Sequence, residues 1–147
     1  MDALAPDPLF PADAVLEFHL RFGLPARHQP LDQLPDPEDQ LRRRLLAEEY
    51  REYLDAADAK DTVAVADALA DMVYVIYGTA LHYGIDLDAV IAEVHRSNMT
   101  KTGHDGGKAI KGPGYQPPDI AAVLTAQRRA HTEPTNGHHP DPVEVER

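Results

Sequence analysis

Ala47-Glu48-Glu49-Tyr50-Arg51-Glu52-Tyr53 is the stretch from which the fold can be worked outward. At about 100° per residue, Glu48 and Glu52 stack one turn apart on the line that Leu41 and Leu45 define, with Glu49 beside them. Three carboxylates therefore stand where a helix bundle keeps leucine. Desolvated carboxylates are costly and neighbouring ones repel, so the arrangement calls for compensating positive charge. Oxygen donors of this kind select hard ions, Mg²⁺ or Mn²⁺.

The flanking sequence reads as helices throughout. A first helix is expected from about Pro11 to Phe22, closed by Gly23 and Pro25. A proline-rich loop follows over 24–36. The second helix, with Asp36 as its N-cap and Pro37 at its first position, should run to about Ala59 and carry the acidic stretch near its middle. Asp61 caps a third helix from about Thr62 to Tyr83, ended by Gly84. Apolar residues lie nearly all round this third helix, which predicts burial on most sides. Asp86 caps a fourth helix that frays near Asn98, and a short last helix spans Asp119 to about His131.

No stretch shows the two-residue period of a strand. Lys101–Pro118, with five glycines, three prolines and three lysines, is expected to be a loop. The predicted fold is all-α, an antiparallel helical hairpin bundle of four to five helices. Residues 1–131 form one domain in this reading, and 132–147 a disordered tail.

Because helices two and three turn near Lys60 and Asp61, residues equidistant from the turn face each other. Asp67 and Asp71, the internal charges of the third helix, then reach the level of Glu48, Glu49 and Glu52. A di-iron carboxylate bundle would need a Glu-x-x-His pattern on two helices, and the chain has none.

A second constellation lies downstream. Arg96, Asn98 and Lys101 at the end of the fourth helix, with Lys108 and Lys111 beyond them, can neutralise phosphate oxygens, although basic residues also favour a helix C-terminus by themselves. Phe18, or Tyr115 in the Gly-Pro-Gly-Tyr segment, can stack on a base, while Phe18 and Phe22 equally suit a core. The Arg42-Arg43-Arg44 run reads as a solvated helix face.

Composition narrows the partners. With 14 basic and 25 acidic residues the net charge is −11, which argues against a nucleic-acid backbone. The absence of cysteine excludes disulfides and thiolate metal sites. No secretory signal is evident and no apolar segment is both long and charge-free, so a cytoplasmic protein without membrane contact is expected.

Four segments together carry a family resemblance: Glu-Glu-x-x-Glu at 48–52, Ala-Asp-x-Leu-Ala-Asp-x-x-Tyr at 66–74, Ser-Asn-Met-Thr-Lys at 97–101 and Lys-Gly-Pro-Gly-Tyr-x-Pro-Pro-Asp at 111–119. In order and spacing they resemble the MazG-like all-α nucleoside triphosphate pyrophosphohydrolases, and within them the branch with dUTP pyrophosphatase activity. The Tyr-Gly-Ile-Asp turn at 83–86 fits as well. The resemblance covers roughly residues 12–124.

It implies two or more Mg²⁺ ions, with Mn²⁺ also effective, held by Glu48, Glu49, Glu52, Asp71 and Asp67. It also implies that Glu49 orients or deprotonates the attacking water, that Asn98, Lys101 and Arg96 hold phosphate with Lys108 or Lys111 closing over it, and that dUTP yields dUMP and pyrophosphate. Such proteins are typically dimers or tetramers whose chains complete the bundle together. One departure stands out: the family's second motif is usually Glu-x-x-Asp, and its glutamate position is Ala68 here. A broader house-cleaning or phosphoribosyl-ATP pyrophosphohydrolase, and a non-catalytic nucleotide-binding helical dimer, are the competing expectations.

Overall fold

The computed structural model describes residues 10–132. The expectations for the first nine residues and for nearly all of the tail lie outside them. Five helices follow one another: α1 (Pro11–Arg21), α2 (Asp36–Asp58), α3 (Thr62–Tyr83), α4 (Leu87–Asn98) and α5 (Ile120–Ala130). The all-α reading holds.

Local chemistry sets the boundaries. The Asp61 carboxylate accepts from the Val63 and Ala64 amides at 3.0 and 3.1 Å, which fixes the start of α3. Asp86 and Asp119 do the same for α4 and α5, accepting from Ala89 and Ala122. Each such cap is worth about 1 kcal/mol. Lys60, in a left-handed conformation at φ 57°, turns the chain between α2 and α3. The start of α2 departs from expectation: Asp36 is already helical, and Pro35 precedes it with no side-chain cap.

The α2–α3 hairpin is the spine, and α1 packs along α3. The hairpin helices meet through small side chains, Ala56 and Ala68, both buried. The proline-rich loop is laced to the end of α3 by the Arg27 amide on the Leu81 carbonyl and the Leu31 amide on the Tyr83 carbonyl. Gln127 of α5 completes this corner, donating to the carbonyls of Gly84 and His28 at 2.8 and 3.0 Å and accepting from the Asp86 amide.

One expectation is corrected. Lys101–Pro118 is not all loop: β1 (Thr102–Asp105) and β2 (Lys108–Ile110) pair antiparallel across Gly106 and Gly107, whose φ angles of 54° and 86° suit a two-residue turn. Both strands are fully exposed, so no alternation of apolar and polar residues announced them. The burial expected for α3 on most sides is not supplied by one chain alone. Its outward face is bare in the single chain, with Val63 81% and Leu69 45% exposed, because α1 and α2 cover only part of its circumference. Among the described residues α3 alone is long and apolar enough to cross a membrane by length and composition, and Asp67 and Asp71 interrupt that apolarity.

Gly84 ends α3 at φ 76°, and a Cβ there would collide with the Gln29 carbonyl. Gly84→Ala is therefore expected to destabilise the protein by more than about 1 kcal/mol. Urea unfolding measures this, and an unchanged midpoint would contradict the packing of the loop on α3.

Candidate active site

The hairpin brings the two acidic groups together around Glu49. Its side chain is half-buried on the inner side of α2, while Glu48, Glu52, Asp67 and Asp71 are exposed. One Glu49 carboxylate oxygen, Oε2, is buried and has no hydrogen-bond partner among the described residues. Desolvation by the surrounding helices raises the Glu49 pKa, and the charges of Glu52, Asp71, Glu48 and Asp67 raise it further, in that order of effect.

All five expected carboxylates thus belong to one electrostatic cluster. Among the described residues no lysine or arginine forms an ion pair with it: the ion pairs there involve Glu38, Asp39, Glu93 and Asp32 instead. The acids stand apart, and among the described residues no three His, Asp or Glu side chains are already gathered to hold an ion. Mutual repulsion favours that separation.

The donor chemistry fits a hard divalent cation. All five donors are carboxylates, and the orphaned Oε2 is a strong acceptor with nothing to accept. Glu48, Glu49, Glu52 and Asp71 are the residues that would hold such an ion, and Asp67, one position before the family's missing glutamate, adds a fifth carboxylate within electrostatic reach. Ala68 itself is 3% exposed in the α2–α3 seam.

The residues expected to hold phosphate make no hydrogen bond or ion pair to these acids among the described residues. Arg96 is already engaged, donating to both oxygens of Glu93 at 2.8 and 2.9 Å and to Gln116 Oε1 and the Pro117 carbonyl. The guanidinium and the Asp119 amide hold Glu93 down at a pKa of about 2. Ser97 and Thr100 also serve structure: Ser97 Oγ donates to the Gln116 carbonyl at 2.8 Å, and the Gln116 amide donates to Thr100 Oγ1 at 2.8 Å. The downstream segment is thereby pinned to the end of α4.

Asn98 and Lys108 are exposed, Lys101 is half-buried, and Lys111 lies 5.0 Å from the centre of the Tyr115 ring. None of these side chains makes a hydrogen bond or ion pair to the acids among the described residues. Phe18 and Phe22 are not core residues, being 40% and 60% exposed. Phe18 instead packs edge to face against Tyr74 of α3, with centroids 5.6 Å apart.

A polar network beneath Phe18 went unrecognised in the sequence. Arg42, expected on a solvated face, is only 8% exposed. Its Nε donates to Thr79 Oγ1 at 3.0 Å and its Nη2 to the Val75 carbonyl at 2.8 Å, and burial lowers its pKa. Beside it lie His19 and His82, both buried, with ring centroids 5.6 Å apart. Glu38 accepts from His82 Nδ1 at 2.9 Å and from both Arg27 Nη atoms at 2.8 and 2.9 Å, so its pKa falls to about 2. The available signal was helical phase: Arg42 lies seven residues before Glu49, on the same stripe of α2.

Comparison with known proteins falls on the same segment. Residues 15–98, more than half of the chain, match the family described as phosphoribosyl-ATP pyrophosphohydrolase. The chain belongs to this family. The matched segment spans both acid-bearing helices and ends with α4, so the orphaned Glu49 oxygen and the buried Arg42 both lie inside the phosphoribosyl-ATP pyrophosphohydrolase region. The chain is also similar to the uncharacterized protein L479 of Acanthamoeba polyphaga mimivirus, with 38% identity over 124 residues. That alignment takes in 82% of this chain and 43% of the viral protein, so the chain spans less than half the length of the curated relative it matches.

A carboxylate whose pKa is raised in the folded state costs the native protein stability above the ordinary carboxylate value and nothing well below it, where both states are protonated. Glu49→Gln should therefore raise the melting temperature in metal-free buffer at pH 7.5 by a few degrees, on the order of 5 °C per kcal/mol relieved. The gain should fade as pH falls through about 4. Calorimetric melts with a chelator measure this, and a variant less stable at pH 7.5 would contradict the frustration assigned to Glu49.

Proposed function

We propose that the protein is a metal-dependent nucleoside triphosphate pyrophosphohydrolase, acting on dUTP to give dUMP and pyrophosphate. The observation that carries the reading is the buried, unpartnered Glu49 oxygen set among four further carboxylates, in a chain of a pyrophosphohydrolase family. Bound Mg²⁺ or Mn²⁺ supplies charge neutralisation of the triphosphate and a more acidic water.

The chain's own residues do the rest. Glu48, Glu49, Glu52, Asp71 and Asp67 would hold the ions, and Glu49, the one whose proton affinity is raised by desolvation and the neighbouring charges, would also orient the attacking water and take its proton. Lys101 and Asn98, with Lys108 and Lys111 on the β1–β2 segment, serve the phosphate oxygens. Arg96 belongs to the scaffold that carries that segment, since its donors are already committed to Glu93, Gln116 and Pro117. The dUTP preference rests on the likeness of the motifs at 48–52, 66–74, 97–101 and 111–119 to the dUTP-hydrolysing MazG-like branch.

A second copy of the chain is part of this proposal. Leu46, Tyr50 and Leu54 of α2 and Leu69, Val73 and Ile76 of α3 are each between 37% and 54% exposed, an apolar face that a dimer or tetramer would cover.

Pyrophosphate release across the deoxy- and ribonucleoside triphosphates and phosphoribosyl-ATP, with Mg²⁺ and with Mn²⁺, tests the reading. It predicts pyrophosphate and not orthophosphate, dUTP as the best substrate, loss of at least 100-fold in kcat for Glu49→Gln, and sedimentation as a dimer or tetramer. Turnover that survives Glu49→Gln, or orthophosphate as the product, would overturn it. A faster reaction with phosphoribosyl-ATP would reassign the substrate and leave the metal site standing.

A further inference from the structure

The chain leaves α4 after Asn98 and comes back to it before α5, and both ends of this excursion are tied to the same end of α4. At departure, Thr100 Oγ1 donates to the Ser97 carbonyl at 2.7 Å and the Lys101 amide to the Asn98 carbonyl at 3.1 Å. On return, the Gln116 amide donates to Thr100 Oγ1 and Ser97 Oγ to the Gln116 carbonyl, both at 2.8 Å. Ser97 is 2% exposed, so this joint is dry. Pro117 and Pro118 follow and have no amide to donate. The next amide, that of Asp119, donates to Glu93 at 2.8 Å.

Glu93 is the residue on which the anchorage closes. Its carboxylate accepts from Arg96 Nε and Nη2 at 2.9 and 2.8 Å as well as from the Asp119 amide, and its side chain is 16% exposed. Two parallel bonds to one carboxylate fix the plane of a guanidinium. Arg96, so held, reaches across to Gln116 Oε1 at 3.1 Å and to the Pro117 carbonyl at 3.3 Å. A pair three residues apart stabilises its own helix little. Here it is turned outward: one carboxylate sets the start of α5 directly and the Gln116–Pro117 backbone through Arg96.

The segment between the two anchors is an arm. β1 and β2 are exposed along their whole length and pack chiefly on each other. Beyond β2 the chain passes back over the base of the hairpin, close enough that a Cβ on Gly112 would stand 2.7 Å from Thr102 Oγ1. Lys108 opens β2 and Lys111 follows it, both exposed. Two lysines thus ride on an arm whose foot is fixed on α4, in a chain of net charge −11.

A fixed foot matters because every loose link between a phosphate ligand and its scaffold must be ordered when the phosphate binds. We infer that Glu93 is a positioning residue for the proposed reaction: by tying Asp119 and, through Arg96, Gln116 and Pro117 to α4, it holds Lys108 and Lys111 where they meet the phosphate oxygens. Glu93 itself touches no substrate. The inference rests on the reading of those two lysines as phosphate ligands. A lysine neutralises the triphosphate in the bound state and in the transition state alike, so its misplacement shows in KM and little in kcat.

The experiment measures kcat and KM for dUTP in the wild type, Glu93→Ala, Glu93→Gln, the pair Lys108→Gln with Lys111→Gln, and that pair combined with Glu93→Ala. Glu93→Ala should raise KM about tenfold or more with less than about a threefold fall in kcat. Glu93→Gln, which keeps one acceptor oxygen, should fall between Glu93→Ala and the wild type. Added to the lysine pair, Glu93→Ala should raise KM by less than about threefold, because its effect runs through side chains already removed. Should Glu93→Ala not fold, Glu93→Gln carries the same comparisons. In a second arm, trypsin cleavage after Lys108 and Lys111 is timed in the full-length protein with Mg²⁺ and a non-hydrolysable dUTP analogue. The analogue should slow cleavage in the wild type and much less in Glu93→Ala.

Turnover with KM unchanged in both Glu93 variants, or effects of Glu93→Ala and the lysine pair that simply multiply, would overturn the positioning role and leave the proposed activity intact. A fall in kcat at unchanged KM would overturn it as well. Protection of the two lysine sites in a wild-type protein that hydrolyses no triphosphate, lost in Glu93→Ala, would support the positioning role and sink the activity. Equal protection in the two proteins would overturn the role of Glu93.

Discussion

The structure turns on an unfavourable interaction. Glu49 is pressed into the α2–α3 seam beside four other carboxylates, with one oxygen denied both water and any protein donor. Among the described residues no lysine or arginine forms an ion pair with it, and Arg27, Arg43 and Arg96 pair instead with Glu38, Asp39 and Glu93. A fold tolerates such a site when the missing charge arrives with a ligand, and under the proposed function a metal-bound triphosphate would bring it.

The rest of the molecule keeps that conflict in place. The Asp61 cap and the left-handed Lys60 fix where α3 begins, and so which residues of α3 face Glu49. The small contacts at Ala56 and Ala68 let the helices approach closely. Ala68 stands where a MazG-like chain usually has a glutamate, and Asp67, one residue earlier, still acts on Glu49. At the other end of the hairpin the Arg27–Glu38–His82 cluster and Gln127 tie loop, α3 and α5 into one corner.

Much of this was legible in the sequence because helices announce themselves locally. Asp61, Gly84, Asp86 and Asp119 are boundary residues whose effect does not depend on tertiary contacts, and the acids at 48, 49, 52, 67 and 71 broke an apolar period in plain view. Other features depended on information the sequence does not display. The β1–β2 hairpin has no buried face, so only its paired glycines hinted at a turn. Arg42 sat in a run of three arginines, and charge type suggested solvent where helical phase pointed inward. Arg96 looked like a phosphate ligand because its partners, Gln116 and Pro117, lie some twenty residues away. The apolar circumference of α3 called for more cover than α1 and α2 of a single chain provide.

The central claim is that the Glu49 cluster is a cation site held in a frustrated state, and direct titration with Mn²⁺ tests it without requiring turnover. Loss of the free-ion electron paramagnetic resonance signal should reveal Mn²⁺ binding to the wild-type protein, tightened by a non-hydrolysable dUTP analogue, and binding at least tenfold weaker in Glu49→Gln. Equal Mn²⁺ affinity in the two proteins, with or without the analogue, would contradict the account.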